Sequence, residues 1–360
     1  MTPTGLGVLQ VEPTDHCNLT CRMCAPHHEG WPTVHGIPKG FLDPALWARI
    51  VEGFVADDLR FDHIIFQWLG DPSLHPRLGE LVGLAARRLA GRVGYLRIDT
   101  NGILLTPPRI DALLDGLPEE GPPLLVVFTL DAHRPETYQQ VKGQDALLRV
   151  RRHVRHLLRA RRRRRATVNV AVQFVVQPGN TAEVADFVAY WRDAFACQGD
   201  PTRFADEVQL KRLSVGGGSA GQAEADAGYE AATAGLQTRP LGRGARLLLW
   251  EQRPWQADDG HTGVRSACPG LWYTPVIRHD GVLLLCCADL HSEMALGSLH
   301  EQGFLSLWQG RAATQRRLEH LAGRFTGACA ACGGINWYSL GEGAGPAAEA
   351  RGRELGLSPG

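Results

Sequence analysis

Six times within the first 214 residues a short Val/Ile/Leu-rich run is followed by an amphipathic stretch. No other feature constrains the fold of this chain as tightly. The runs are 7–14 (GVLQVEPT), 63–70 (HIIFQWLG), 94–102 (GYLRIDTNG), 124–131 (LLVVFTLD), 167–177 (TVNVAVQFVVQ) and 206–214 (DEVQLKRLS). Between them, helices are expected at 43–54, 76–90, 107–115, from about 131 through 160, and at 181–195. Asp43 is suited to cap the first of these and Pro44 to open it. Strands that are apolar on both faces and separated by helices belong to a buried parallel sheet. Six such units predict an α/β fold, an open partial (β/α)6 TIM-like barrel over 1–214, with its chemistry at the carboxyl ends of the strands.

The rest of the chain reads differently. Residues 215–263 are rich in Gly and Ala and are expected to form a connector or substrate cap. Residues 264–340 turn to short strands, with Asp280-Gly281 marking a hairpin and a helix expected over 304–322, as in a small α+β domain. Residues 341–360 read as a mobile tail.

Composition excludes several classes of function. Hydrophobic residues make up 44% of the 360 and charged residues 21%, so the chain can bury a core. The formal net charge is zero, which gives no global attraction to nucleic acid or to an anionic membrane. The arginine run at 149–165 keeps Val150, Val154, Leu157 and Leu158 on one helical face, so its arginines are expected to decorate the surface. No stretch is long enough to span a bilayer, and the N-terminus lacks a signal-peptide pattern. A cytoplasmic protein is expected, and there clustered cysteines hold metal more often than they form disulfides. Eight of the nine cysteines fall in two clusters, three at 17–24 and five at 268–332.

Cys17, Cys21 and Cys24 follow the first strand with the spacing Cys-x3-Cys-x2-Cys. Polar or Gly-rich segments follow the later strands at the same relative position: Gly70-Asp71-Pro72, Thr100-Asn101-Gly102, Thr129 with Asp131, and Gln177 to Asn180. In a parallel barrel these would surround one ligand. Asp71 and Asp131 have a second reading, as helix caps or loop-stabilising carboxylates.

The three-cysteine loop in this setting resembles the radical S-adenosylmethionine (SAM) superfamily. The resemblance implies that Cys17, Cys21 and Cys24 hold three irons of a [4Fe–4S] cluster and leave the fourth for the amino and carboxylate groups of SAM. Reductive cleavage would then yield a 5′-deoxyadenosyl radical. It further implies SAM contacts from Gly70, Asp71, Thr100, Asn101, Thr129, Asp131, Gln177 and Asn180, although Leu69 and Asp71 depart from the family's Gly-Gly-Glu-Pro segment. Cys268, Cys286, Cys329 and Cys332, spaced Cys-x17-Cys-x42-Cys-x2-Cys, resemble the twitch form of the SPASM domain. That form closes four cysteines around one auxiliary [4Fe–4S] cluster.

Adjacent strand residues face opposite ways, so Cys286 and Cys287 do not easily share one cluster. Spacing from Gly281 favours Cys286. Cys287 and Cys197 then read either as buried thiols or as hydrogen-atom donors to a substrate radical. Lys211 and Arg212, at the end of the sixth strand, either face substrate or sit as surface cations. No room remains before Cys17 for a peptide-recognition domain, so a small-molecule substrate is expected. The single auxiliary cluster resembles the aminocyclitol (2-deoxy-scyllo-inosamine) dehydrogenase type, which oxidises a secondary alcohol to a ketone with a reducing partner such as flavodoxin or ferredoxin. An epimerase using a cysteine hydrogen donor, an enzyme modifying ribosomal peptides, and a zinc-stabilised binding module remain as alternatives.

Overall fold

A computed structural model describes residues 5–24, 38–196, 205–213, 221–242, 244–250, 266–330, 332, 334 and 338–358. In chain order the described elements begin with β1 (Gly5–Val11), α1 (Pro44–Ala56), β2 (Arg60–Phe66), α2 (Leu78–Arg88), β3 (Val93–Thr100) and α3 (Pro107–Asp115). There follow β4 (Leu124–Thr129), α4 (Pro135–Lys142), α5 (Leu147–Arg164), β5 (Val168–Val176), α6 (Val184–Ala196) and β6 (Asp206–Arg212). The second half holds α7 (Gly221–Thr233), β7 (Arg239–Gly242), β8 (Ala245–Trp250), α8 (Gly270–Tyr273), β9 (Val276–Ile277) and β10 (Val282–Leu284). The chain closes with β11 (Ala295–Ser298), α9 (Phe304–Trp308), α10 (Arg311–Leu321) and α11 (Ala344–Glu354).

All strands belong to one sheet, ordered β11-β10-β9-β1-β2-β3-β4-β5-β6-β8-β7. The run from β1 to β6 is parallel in sequence order, as the six β/α units require. The helix-facing residues of these strands, among them Leu9, Ile64, Phe66, Leu96, Ile98, Val126 and Val170, are fully buried. Asp43 caps α1, its Oδ1 accepting from the Ala45 N–H at 2.9 Å. The buried stripe of α5 includes Val150, Val154, Leu157 and Leu158, as the periodicity predicts.

Five features differ from the sequence expectation. The long helix after β4 is two helices, parted at Gly143, which takes a left-handed φ of 85°. Arg161 does not decorate the surface: it is buried and forms a bidentate pair with Asp206 at 2.6 and 2.5 Å, tying α5 to the start of β6. Residues 215–263 are not only a connector, because β8 within them pairs parallel to β6 and adds a strand to the barrel sheet. The tail carries α11, packed on α10, where Gly352 lets Leu318 approach to the distance a Cβ would occupy. The helix expected over 304–322 is likewise divided, at Gly310, into α9 and α10.

On the opposite edge, β9 runs parallel to β1, with Gln10 opposite Val276 and Val11 opposite Ile277. The C-terminal cysteine region is therefore an extension of the barrel sheet. A buried contact secures this joint. The Glu12 carboxylate accepts from the Leu69 N–H at 3.2 Å with one oxygen and lies 3.0 Å from Nδ1 of His279 with the other. Near the amino end, Gly7 leaves room for Tyr273 and Tyr338 to lie against β1, where a Cβ would come within 2.7 Å of the Tyr338 ring.

Burial pushes the His279 imidazole toward neutrality, but the hydrogen bond and charge of Glu12 outweigh it and its pKa is raised. A raised folded-state pKa contributes stability that is complete below the unfolded value of about 6.5 and is lost as pH rises through the folded value. Urea unfolding of wild type and His279→Gln as a function of pH tests this. The stability difference should be largest below about pH 6.5 and shrink at higher pH, whereas parallel profiles would contradict it.

Candidate active site at the carboxyl ends of the strands

The three-cysteine loop leaves β1 and is held from several sides. Its Arg22 N–H donates to the Val141 carbonyl at 3.1 Å, and Cys24 N–H donates to the Cys21 carbonyl at 3.0 Å. Asn18 accepts from the Asn101 side chain at 2.8 Å, and its carbonyl accepts from Gln144 at 3.3 Å. Burial raises the Cys17 thiol to about 11, with the Asp71 carboxylate adding to it. Cys24 is pushed to about 12 by burial and then by the Cys21 and Cys17 thiols, which places the three within electrostatic reach of one another. Metal binding here must displace thiol protons, and an adjacent cation favours that. Lys142 supplies the cation, lowering all three pKa values against the larger effect of burial.

Gly70 and Asp71 form the floor. A Cβ on Gly70 would lie 2.2 Å from the Thr14 carbonyl oxygen and 2.6 Å from that of His16, so only glycine lets the β2 loop press on the segment leading to Cys17. Asp71 N–H donates to the His16 carbonyl at 2.8 Å. The Asp71 carboxylate is buried and faces inward. It accepts from Ser73 N–H at 2.9 Å, Ser73 Oγ at 2.5 Å, Thr100 Oγ1 at 2.9 Å and Asn101 N–H at 2.6 Å. It thus caps the one-turn helix at 72–74 and ties the β2 and β3 loops together, the second of the two readings left open for it. Burial raises its pKa, opposed by these four donors.

Beyond β4, Asp131 holds a left-handed φ of 58° and is buried. Its Oδ1 accepts from Val175 N–H at 2.7 Å, and its Oδ2 pairs with the buried ammonium of Lys142. Lys142 also reaches Thr129 Oγ1 at 3.5 Å. Asn180 spends its side chain on the protein, donating to the Asp131 and Val175 carbonyls at 2.9 Å and accepting from Gln177 N–H at 2.9 Å. The Gln177 side chain reaches Met23 Sδ at 3.3 Å. Sequence reasoning missed Lys142, Asn18 and Gln144. Lys142, among only three lysines in the chain, carries no motif, and its value emerges only when α4 folds back over the loop.

Cys17, Cys21 and Cys24 share a cavity of about 360 Å³ with Gly70, Asp71, Thr100, Asn101, Thr129 and Asp131. Gln177 and Asn180 stand behind its wall. In the second cysteine group, burial raises the Cys329 thiol to about 12, and the nearby Cys286, Cys332 and Cys268 add to this. Backbone N–H groups donate to sulfur at Cys286 (from Ala288, 3.5 Å) and at Cys332 (from Gly334, 3.4 Å), an arrangement that stabilises ligating thiolates. Cys287 is also buried and lines a second space, but β10 ends at Leu284 and the Cys286 and Cys287 thiols are hydrogen-bonded to each other, so the two do not face opposite ways as expected of strand neighbours. Cys197 lies outside the described residues. Among the described residues no three His, Cys, Asp or Glu side chains stand close enough to hold a single metal ion.

That second space is a chamber of about 480 Å³ inside the barrel, lined by Gln10, His63, Tyr95, Arg97, Trp250 and Cys287 among others. Gln67, Asp99 and Lys211 line both it and the thiol cavity, so the two adjoin there. Lys211 and Arg212 both reach the chamber, but Arg212 is committed to Asp226 and Glu230 on α7 at 3.5 and 3.2 Å.

The sequence profile of the Radical SAM superfamily matches residues 11–190. The chain belongs to the radical SAM superfamily. A SPASM profile, an iron–sulfur cluster-binding domain, matches residues 268–333. Among curated proteins the chain is 35% identical over 126 residues to the tungsten-containing aldehyde ferredoxin oxidoreductase cofactor-modifying protein of Pyrococcus furiosus, covering 34% of this chain and 30% of that one. It is 30% identical over 149 residues to GTP 3′,8-cyclase 1 of Mycobacterium tuberculosis, covering 39% and 36%. The chain thus spans about a third of the length of these relatives.

Among solved structures, native anSMEcpe with bound AdoMet superposes with a TM-score of 0.56 at 13% identity, covering 97% of this chain and 96% of that one. Streptococcus suis SuiB gives 0.57 at 12%, covering 91% and 70%. BtrN in complex with AdoMet and 2-DOIA gives 0.49 at 17%, covering 92% and 98%. The first two likenesses show the fold. As a radical SAM enzyme the chain uses SAM and a [4Fe–4S] cluster, and its SPASM domain carries auxiliary iron–sulfur. The three-thiol cavity with its adjacent cation and the N–H-bonded thiols of the second group fit these cofactors. No described helix is long and apolar enough to cross a membrane.

Gly70→Ala tests the floor. Its Cβ cannot be placed without moving residues 14–16, so the variant should lose about 1–3 kcal/mol of stability and bind SAM more weakly in equilibrium dialysis of the reconstituted enzyme. Gly53→Ala in α1, whose Cβ meets nothing within 4 Å, should leave both unchanged or slightly raise stability. Equal SAM affinity for wild type and Gly70→Ala would contradict this role.

Proposed function

We propose that this radical SAM enzyme oxidises a secondary alcohol of a small, polar, aminocyclitol-like or aminosugar molecule to a ketone. The observation that carries the reading is the chamber that adjoins the three-thiol cavity at Gln67, Asp99 and Lys211 and reaches Cys287. Its volume, about 480 Å³ for the inner chamber, suits a small molecule held in a largely pre-formed site. Its lining offers Gln10, Gln67, the Arg97–Asp99 pair and Lys211 to hydroxyl groups.

In this reading Cys17, Cys21 and Cys24 hold the SAM-binding cluster, and Cys268, Cys286, Cys329 and Cys332 hold one auxiliary cluster. Bound there, SAM and its cluster would supply an acceptor for the carbinol hydrogen atom, and the auxiliary cluster an acceptor for the second electron. Gly70, Thr100, Asn101 and Thr129 would meet SAM, while Gln177, through Met23, and Asp71, Asp131 and Asn180 would position the loops. The protein's contribution to rate is placement of one C–H bond and exclusion of water. A soluble electron carrier such as flavodoxin or ferredoxin would supply the reducing electron.

One observation favours a second reading. Cys287 opens on the chamber, where its thiol could return a hydrogen atom to the opposite face of a substrate radical, giving an epimerase.

The test uses 2-deoxy-scyllo-inosamine and related aminocyclitols deuterated at each carbinol carbon in turn, with anaerobically reconstituted enzyme and mass spectrometry. Deuterium should appear in 5′-deoxyadenosine and the product should be a ketone. A product that keeps its oxidation level and gains deuterium from heavy water would establish the epimerase instead. No 5′-deoxyadenosine above background with any aminocyclitol or aminosugar would overturn the substrate class.

A further inference from the structure

Charges inside the barrel are matched, with one left over. Arg97 and Asp99 on β3 form a bidentate pair, both hydrogen bonds being 2.6 Å. Glu207 on β6 takes Arg246 from β8 and the side chain of Gln209. Arg212 is bound to α7, and Asp131 and Lys142 hold each other beyond β4. Lys211 has no acid and no hydrogen-bond partner among the described residues. Its Nζ lies 5.0 Å from the centroid of the Trp250 ring, at the junction of the thiol cavity and the inner chamber.

We propose that Lys211 is a catalytic residue whose Nζ accepts the proton of the substrate hydroxyl at the carbon being oxidised. This rests on the alcohol-oxidation reading above. At this junction a substrate carbon can face the SAM side while its hydroxyl meets the Lys211 amine. The O–H bond breaks, its proton passes to Nζ, and the C=O bond forms. The carbinol hydrogen atom leaves to the SAM-derived acceptor and the remaining electron to the auxiliary cluster, which completes a two-electron oxidation.

An acceptor must be uncharged. Burial, assisted by the Arg97 cation, lowers Lys211 to about 8, with Asp99, Asp131 and Glu207 opposing. The chamber's histidine and phenols are unsuited to take its place near neutral pH, and the Cys287 thiol, whose pKa is lowered, is already hydrogen-bonded to Cys286. Burial lowers His63 to about 3, where its ring is a poor base, and burial raises the pKa of the phenols Tyr95 and Tyr338, which stay protonated. Lysine can lose its proton at this pH and arginine cannot.

The chain has three lysines, Lys39, Lys142 and Lys211. Trace acylation of the reconstituted holoenzyme with acetic anhydride across pH, quantified peptide by peptide, therefore reads the Lys211 titration without any turnover. Its midpoint should lie near 8, well below the usual value of about 10.4. Lys211→Arg and Lys211→Met should still pass substrate deuterium into 5′-deoxyadenosine within about tenfold of wild type, while ketone formation falls at least about 100-fold. Wild-type ketone formation should rise with pH through about 8. Near-normal ketone formation by Lys211→Arg, or a Lys211 midpoint near 10 in an enzyme that does make ketone, overturns the proposal alone. A midpoint near 8 with no ketone from wild type overturns the oxidation reading on which it rests.

Discussion

Two residues of parallel pairing between β9 and β1 set the geometry on which the rest depends. Through that pairing the SPASM cysteines enter the same sheet that carries the three-cysteine loop, so the two sites share one frame instead of sitting on separately mobile bodies. The Glu12 carboxylate reinforces the joint by touching His279 on one side and the β2 loop on the other. The β1 strand is thus bound by β2 along one edge and by β9 along the other.

Carboxylates buried at the strand ends serve mainly to bind loops to each other. Asp71 joins the β2 and β3 loops through four donors, and Asp131 joins β5 to the Lys142 ammonium. Both also line the thiol cavity, with their carboxylates committed to these partners. Burying a carboxylate costs several kcal/mol unless it is paired or hydrogen-bonded, so these networks make the loops interdependent. Lys142 has a double part, neutralising Asp131 and lowering the pKa of three thiols. Lys211 stands apart from this pattern, an amine with an aromatic face beside it and no acid among the described residues.

The six parallel strands, the N-cap at Asp43 and the apolar stripe of α5 were all legible, because propensity, periodicity and burial agree there. The cysteine spacings were legible for a different reason: thiol ligands are carried by local chain geometry. What the sequence concealed came from contacts distant in the chain. β8 reads as four apolar residues within a Gly/Ala-rich stretch, and only the open edge of β6 makes it a strand. The composition of α11 is mostly Ala, Gly and charged residues, and its helix depends on packing against Leu318 of α10. The break at Gly143 had a local signal, a glycine before a polar Gln-Asp pair, and the close approach of Thr20 to that glycine shows its use. Arg161 belongs to a run that looks uniform, yet it alone meets the buried Asp206 by its place on the helix.

The account's central claim is a pair of iron–sulfur sites on one sheet, one with three protein thiols and one with four. Iron and sulfide analysis of the anaerobically reconstituted protein, alongside a Cys17→Ala/Cys21→Ala/Cys24→Ala variant, tests it most directly. Wild type should hold about eight irons and the variant about four, the remainder being the SPASM cluster. Stoichiometric zinc in place of iron, or equal iron in the two proteins, would contradict it.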